Sequence, residues 1–109
     1  MPRFLVERYI AGDAQRAAAD IETRARAAAE AMTAEGTAVT YLGSTVLPED
    51  AACFCLFEAD SALDVQEANE RAGLAYLRIT RVLDHHGSVA GVPEASPAAT
   101  ITTDMEVGT

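Results

Sequence analysis

The feature that most constrains this 109-residue chain is an almost uninterrupted apolar run at residues 51–59, which reads AACFCLFEA. A turn with Pro48 at its second position precedes the run, whose length is typical of a strand in the middle of a sheet. Side chains alternate between the two faces of a strand, and here both faces are apolar. The alternation puts Cys53, Cys55 and Phe57 on one face, and Phe54, Leu56 and Glu58 on the other.

The flanking sequence predicts two helices and three further strands. Residues 14–35 carry an apolar stripe at helical spacing, with Asp13 as the N-cap and Gly36 just after the end. A second helix begins after the N-cap Ser61 and ends at Gly73. Strands are expected at residues 4–10, at residues 37–47 with a bulge near Gly43, and at residues 75–83.

The order of these elements predicts an α+β fold. Strand, helix, strand, strand, helix, strand is the βαββαβ order of a ferredoxin-like domain, in which both helices lie on one face of a four-stranded antiparallel sheet. Two helices leave the second face open, and residues 51–59 make that face too apolar to stay in water. We therefore expect a homodimer packed sheet to sheet, in the manner of a dimeric α+β barrel.

The length fits one domain, and the composition changes near its end. We assign residues 1–83 to the ferredoxin-like α+β domain. Residues 84–109 form an acidic C-terminal tail that contains Ala, Pro and Gly and no basic residue. The tail has too little apolar content to fold alone, so residues 88–109 are a candidate docking segment for a protein partner.

Charge and cysteine content exclude several classes of protein. The formal net charge is −9 and the eight basic residues are all arginine, so we expect no surface for nucleic acid or an anionic membrane. No segment has the composition of a signal peptide or a membrane span. On a strand, Cys53 and Cys55 hold their Cβ atoms roughly 7 Å apart, whereas a disulfide needs about 4 Å. We expect a reduced, cytoplasmic protein.

Five polar side chains on the predicted strands are candidates for a ligand pocket. A carboxylate in apolar surroundings must be paired or have its pKa shifted, and such groups cluster at binding sites. The alternative is a structural ion pair, such as Glu7 with Arg78, at the sheet edge or the dimer seam. The candidates are Glu7, Tyr9, Tyr41, Glu58 and Arg78.

Two pairs of residues are candidate metal ligands. The thiols of Cys53 and Cys55 share one strand face, where a soft ion could bridge them, although packing in the core is the favoured interpretation. His85 and His86 follow Asp84, and imidazole with carboxylate suits nickel, zinc or copper. Adjacent residues of an extended segment point in opposite directions, so a solvated strand end is the favoured interpretation for the histidines.

Three segments carry a family resemblance: MPRFLVER at the start, CFCLFEA, and ANERAGL with the RI that follows. Over residues 2–83 the chain resembles a family of small bacterial proteins, mainly actinobacterial, of unknown function and with one nickel-binding branch. The resemblance implies a ferredoxin-like fold, a dimer, and Ni²⁺ or another divalent transition metal. Relatives with metal ligands have one His in the second helix and one in the second strand, where this chain has Ala68 and, at residues 41–44, YLGS.

Three functions remain open, in this order. The first is a dimeric, non-catalytic binding protein that takes a metal ion, nickel by the resemblance, or a small ligand between its two sheets. The second is an enzyme like the cofactor-free cyclases and monooxygenases, with acid–base groups drawn from Glu7, Tyr9, Tyr41 or Arg78. It predicts a pocket holding a carboxylate of raised pKa, and pairing of Glu7 with arginine counts against it. The third is an interaction or cargo module that uses the tail.

Overall fold

The computed structural model describes residues 1–83, so His85, His86 and the rest of the tail lie outside the described residues. Its four strands form one antiparallel sheet, in which the second, third, first and fourth strands of the chain lie side by side in that order. This is the predicted α+β arrangement, and it matches a ferredoxin-like domain. The elements are β1 (Arg3–Tyr9), α1 (Ala14–Ala34), β2 (Val39–Leu47), a 3-10 turn (Pro48–Asp50), β3 (Ala52–Ala59), α2 (Ala62–Arg71) and β4 (Arg78–Val82).

Helix α1 covers the sheet through an alanine-rich stripe. Asp13 caps its N-terminus, where the carboxylate accepts hydrogen bonds from the N–H groups of Gln15 and Arg16 at 2.9 and 3.1 Å. Such a cap contributes about 1 kcal/mol. The buried side chains of α1 are Ile21, Ala25, Ala28, Ala29 and Met32.

Within residues 1–83, no helix combines the length and the apolar character needed to cross a membrane.

Strand β3 has the two faces that the sequence predicts. Cys53, Cys55 and Phe57 are 0% exposed beneath the helices, whereas Phe54 and Leu56 on the other side are only partly buried. We call the side under the helices the covered face and the other side the open face. Following the strand register, the covered face includes Phe4, Val6, Arg8, Tyr41, Cys53, Cys55 and Phe57, and the open face includes Arg3, Leu5, Glu7, Tyr9, Phe54, Leu56, Glu58, Arg78 and Thr80.

The outer strands show one confirmed detail and one difference. The register of β2 against β3 shifts between Tyr41 and Gly43, which is the bulge expected near Gly43. Strand β4 begins at Arg78 instead of residue 75. Residues 75–77 do not extend the strand. The carbonyl of Ala75 instead accepts a hydrogen bond from the Arg8 side chain at 3.0 Å.

Candidate functional site

Two ion pairs lie on the open face, each between neighbouring strands. Arg78 Nε donates to Glu7 Oε1 at 2.8 Å, and the two residues are directly opposite in β4 and β1. Arg3 Nε donates to Glu58 Oε2 at 3.2 Å across β1 and β3. Partly exposed pairs of this kind contribute roughly 0–1 kcal/mol. They hold two carboxylates in place with little gain in stability.

An apolar strip of Leu5, Phe54 and Leu56 lies between these ion pairs. Leu5 is opposite Leu56, and Phe54 is opposite Glu7. All three are half-buried although they do not belong to the core under the helices. Tyr9, at the end of β1, is 71% exposed. The open face is therefore an apolar centre with one carboxylate on either side.

Tyr41 does not join the predicted polar patch, so the five-residue grouping is wrong for this residue. It is 6% exposed on the covered face, opposite Phe57, whose ring it meets edge-on with centroids 5.5 Å apart. The guanidinium carbon of Arg26 lies 5.2 Å from the centre of the Tyr41 ring. Burial raises the pKa of Tyr41, and its hydrogen bond with Ser44 partly opposes that rise. The sheet separates Tyr41 from the other four candidates.

Cys53 and Cys55 are free thiols, fully buried on the covered face. Their Sγ atoms are 3.9 Å apart, and Cys55 Sγ lies 3.1 Å from Ser44 Oγ. Burial, and then the neighbouring Cys55, raises the pKa of Cys53 to about 11, so this thiol is protonated at neutral pH. Both residues belong to the core under the helices, where free cysteine packs as a small apolar residue.

Arg8 is a buried charge that the sequence analysis missed. It is 2% exposed and directly opposite Cys53. Nη1 donates to the Ala75 carbonyl at 3.0 Å and Nη2 donates to Asn69 Oδ1 at 2.6 Å. Within the described part of the chain, Nε has no hydrogen-bond partner. Strand alternation could have revealed the burial, because Arg8 stands at a covered-face position of β1.

A cavity of about 510 Å³ opens between α1 and β2. Ser44, whose hydroxyl lies 3.1 Å from Cys55 Sγ, is one of the residues that line it. Glu22 and Arg26 stand at its helical wall and pair with each other at 2.9 Å. The cavity therefore borders the covered face at Tyr41 and Ser44.

A protein-family model matches residues 4–82, and its description is nickel responsive protein, SCO4226-like. The chain belongs to this family. The match begins at Phe4, the second residue of β1, and ends at Val82, the last residue of β4. It confirms the resemblance carried by the MPRFLVER, CFCLFEA and ANERAGL segments.

One solved structure shares the fold of this SCO4226-like chain. The crystal structure of SCO4226 from Streptomyces coelicolor A3(2) matches 77% of this chain and 99% of its own chain, with a TM-score of 0.57 and 22% sequence identity. At this identity the likeness supports a common fold. No curated protein matches the chain.

The family description makes nickel the metal to test against the described residues. Within residues 1–83 of one protomer, no three His, Cys, Asp or Glu side chains come together as a metal-ligating group. Glu7 and Glu58 are each engaged by an arginine. This part of a single copy therefore does not fit a nickel site by itself, and further donors have to come from a second copy or from beyond residue 83.

The structure bears on the enzyme hypothesis through the pairing of Glu7, one of its proposed acid–base groups. Arg78 engages the Glu7 carboxylate at 2.8 Å, which is the pairing expected to count against catalysis. Tyr41 lies across the sheet from Glu7, Tyr9 and Arg78. Tyr41 therefore does not share a pocket with the other three proposed acid–base groups.

Proposed function

We propose that this chain is a non-catalytic binding protein that works as a homodimer, with the open faces of two copies stacked. Between them it takes a divalent transition metal ion, Ni²⁺ first. The observation that carries the proposal is the half-buried apolar strip of Leu5, Phe54 and Leu56 with a carboxylate on either side. A continuous apolar patch rimmed by polar groups is typical of a surface that binds another body.

A second copy of the chain is the occupant that best fits the open face. The strip lies on β1 and β3, the two central strands of the sheet. A two-fold axis through it would set the same strip against itself, and stacked sheets pack about 10 Å apart. Both helices of the described chain pack on the covered face. This supports a partner from outside the chain for the open face.

Glu7 and Glu58 are the proposed oxygen donors. A two-fold axis doubles their number, so that two stacked faces offer four carboxylates to one space. Nickel accepts oxygen donors together with imidazole nitrogen. The chain has two imidazoles, His85 and His86, directly after the domain. The arginine partners neutralise the carboxylates until a cation takes their place.

Native mass spectrometry of the full chain, before and after addition of Ni²⁺, tests this function. The expected result is a dimer that gains a fixed number of nickel ions. Glu7→Gln and Glu58→Gln each remove a carboxylate and are expected to weaken nickel binding by roughly 10-fold or more. Glu67→Gln on α2 is the matched control and is expected to bind as the wild type does. His85→Ala and His86→Ala report whether the tail supplies nitrogen donors.

The possible failures are distinguishable. A monomer would contradict the stacked faces, and a dimer that takes up no nickel would contradict the metal. Any additional mass that stays on a nickel-free dimer would identify a small ligand as the occupant of the inter-sheet space instead.

A further inference from the structure

A line of polar atoms crosses the apolar layer of the covered face. It starts at Tyr41 Oη, which lies 2.5 Å from Ser44 Oγ. Ser44 Oγ in turn lies 3.1 Å from Cys55 Sγ, and the next sulfur, of Cys53, is 3.9 Å further. Arg8 stands directly opposite Cys53 in the ladder between β1 and β3. The two thiols therefore lie between a hydroxyl pair and a guanidinium group.

The charge on Arg8 is uncompensated in this layer. Within residues 1–83 its side chain bonds one carbonyl and one amide oxygen, and no carboxylate reaches it. The Nε atom is buried and has no partner there. A buried ion without an opposite charge is costly, so a negative charge beside Arg8 would be stabilised. The thiol of Cys53, directly opposite Arg8 in the ladder, is a group able to supply one.

Ser44 is an exposed residue that contacts the buried thiol pair. Cys53 and Cys55 are both 0% exposed, but Ser44 is an exposed residue on the edge strand β2 and lines the cavity of about 510 Å³. Its hydroxyl lies 3.1 Å from Cys55 Sγ. Ser44 thus both lines the cavity and contacts the first sulfur, and it is the side chain that would have to move for a small ion to pass from one to the other.

We propose that Cys53 and Cys55 form a two-thiolate site for a soft monovalent cation of the Cu⁺ class, with Arg8 as its counter-charge. On binding, each thiol releases its proton to solvent and each sulfur gives a lone pair to the cation. One cation thus replaces two protons, and the resulting single negative charge faces the guanidinium group. No electron is transferred.

The donor set favours a soft cation over nickel. Thiolate ligands select Cu⁺, whereas Ni²⁺ in its tetragonal geometry needs more donors than two. Sulfurs 3.9 Å apart can share one ion at metal–sulfur distances of about 2.3 Å. This site lies on the covered face, away from Glu7 and Glu58, so it stands independently of the function proposed above.

An anaerobic competition experiment on the reduced full chain tests the site. Cu⁺ is supplied as its complex with bathocuproine disulfonate, and loss of the absorbance of that complex reports transfer to the protein. The expected result is one Cu⁺ per protomer. Because two thiol protons are displaced, the affinity is expected to fall as the pH is lowered.

Variants locate the ion. Cys53→Ala and Cys55→Ala are each expected to weaken Cu⁺ binding by at least about 100-fold, beyond what the loss of a supporting residue costs at known metal sites. Thr45→Ala, next to Ser44 but on the open face, is the control and should bind as the wild type does. Nickel uptake by either cysteine variant should be unchanged, which separates this site from the inter-sheet one.

Thiol alkylation of the wild-type chain gives a second readout that does not depend on the folding of a variant. Because both thiols are buried, alkylation is followed over time with and without one equivalent of Cu⁺, and Cu⁺ is expected to slow the modification of both cysteines, as counted by mass spectrometry. Failure of the wild type to compete for Cu⁺, full affinity in either single cysteine variant, or equal alkylation rates with and without Cu⁺ would each overturn the proposal.

Discussion

The covered and open faces consist of alternate residues of the same strands, yet they meet different surroundings. On β3, Phe57 is 0% exposed beneath the helices, whereas Phe54 is half-buried on the open face. On β1, Arg8 is buried among apolar side chains, while the neighbouring Glu7 reaches both water and Arg78. The difference teaches that the helices of this chain complete the covered face, whereas the apolar strip of the open face stays outside the core formed within residues 1–83.

The largest expected effect comes from the two phenylalanines of β3. Phe57→Ala leaves a cavity under the helices and is expected to lower the free energy of unfolding by about 3–5 kcal/mol. Phe54→Ala removes a half-buried ring and is expected to cost the monomer only about 1–1.5 kcal/mol. Urea unfolding at low protein concentration measures both. Equal losses would show that the two faces do not differ as described.

The buried charge on the covered face gives the next largest effect. Asn69→Ala removes the oxygen that Arg8 Nη2 binds at 2.6 Å, and is expected to cost about 2–3 kcal/mol because the guanidinium group stays buried. Arg8→Met together with Asn69→Leu replaces both partners by apolar groups and is expected to stay within about 1 kcal/mol of the wild type. A double variant as unstable as Asn69→Ala would contradict this account of Arg8.

Alkaline pH separates the faces through the Cys53 thiol. Its pKa is raised from an ordinary value of 9.0 to about 11 in the folded chain, mainly by burial. The folded state therefore holds the thiol proton more tightly than the unfolded state does. Its contribution to stability is fully present below pH 9 and is lost as the pH rises towards 11. Unfolding curves across that range should show a decline for the wild type and a smaller one for Cys53→Ala.

The smallest effect is expected from the open-face ion pair. A double-mutant cycle on Glu7→Gln and Arg78→Gln, measured on the monomer, should give a coupling below about 1 kcal/mol, since the Arg78 side chain is 74% exposed. The coupling should fall further with added salt. A coupling of several kcal/mol that salt does not reduce would place this pair in the interior instead.

The sequence was sufficient for features set by local pattern. Strand alternation fixed the two faces of β3, and Asp13 marked the start of α1 as predicted. Features that depend on strand register were harder to predict from the sequence. The bulge next to Tyr41 decides which face that residue takes, because a slip of one residue moves a side chain across the sheet.

Partners brought together from distant segments were missed for the same reason. Glu58 is a candidate ligand by its position on the strand, but its partner Arg3 lies 55 residues away in the sequence. The buried guanidinium group of Arg8 is hydrogen-bonded by Asn69, which lies in α2 and is 61 residues away in the sequence. Only the assembled sheet and helices show that these groups meet.

The measurement that tests the central claim most directly is sedimentation velocity at micromolar concentration on the wild type and two matched variants. Leu56→Asp puts a charge into the apolar strip of the open face, whereas Leu63→Asp makes the same change at a leucine that is 73% exposed on α2. With folding of each variant checked by circular dichroism, the account predicts dimers for the wild type and Leu63→Asp, and a folded monomer for Leu56→Asp. A monomeric wild type, or a Leu56→Asp variant that remains dimeric, would contradict it.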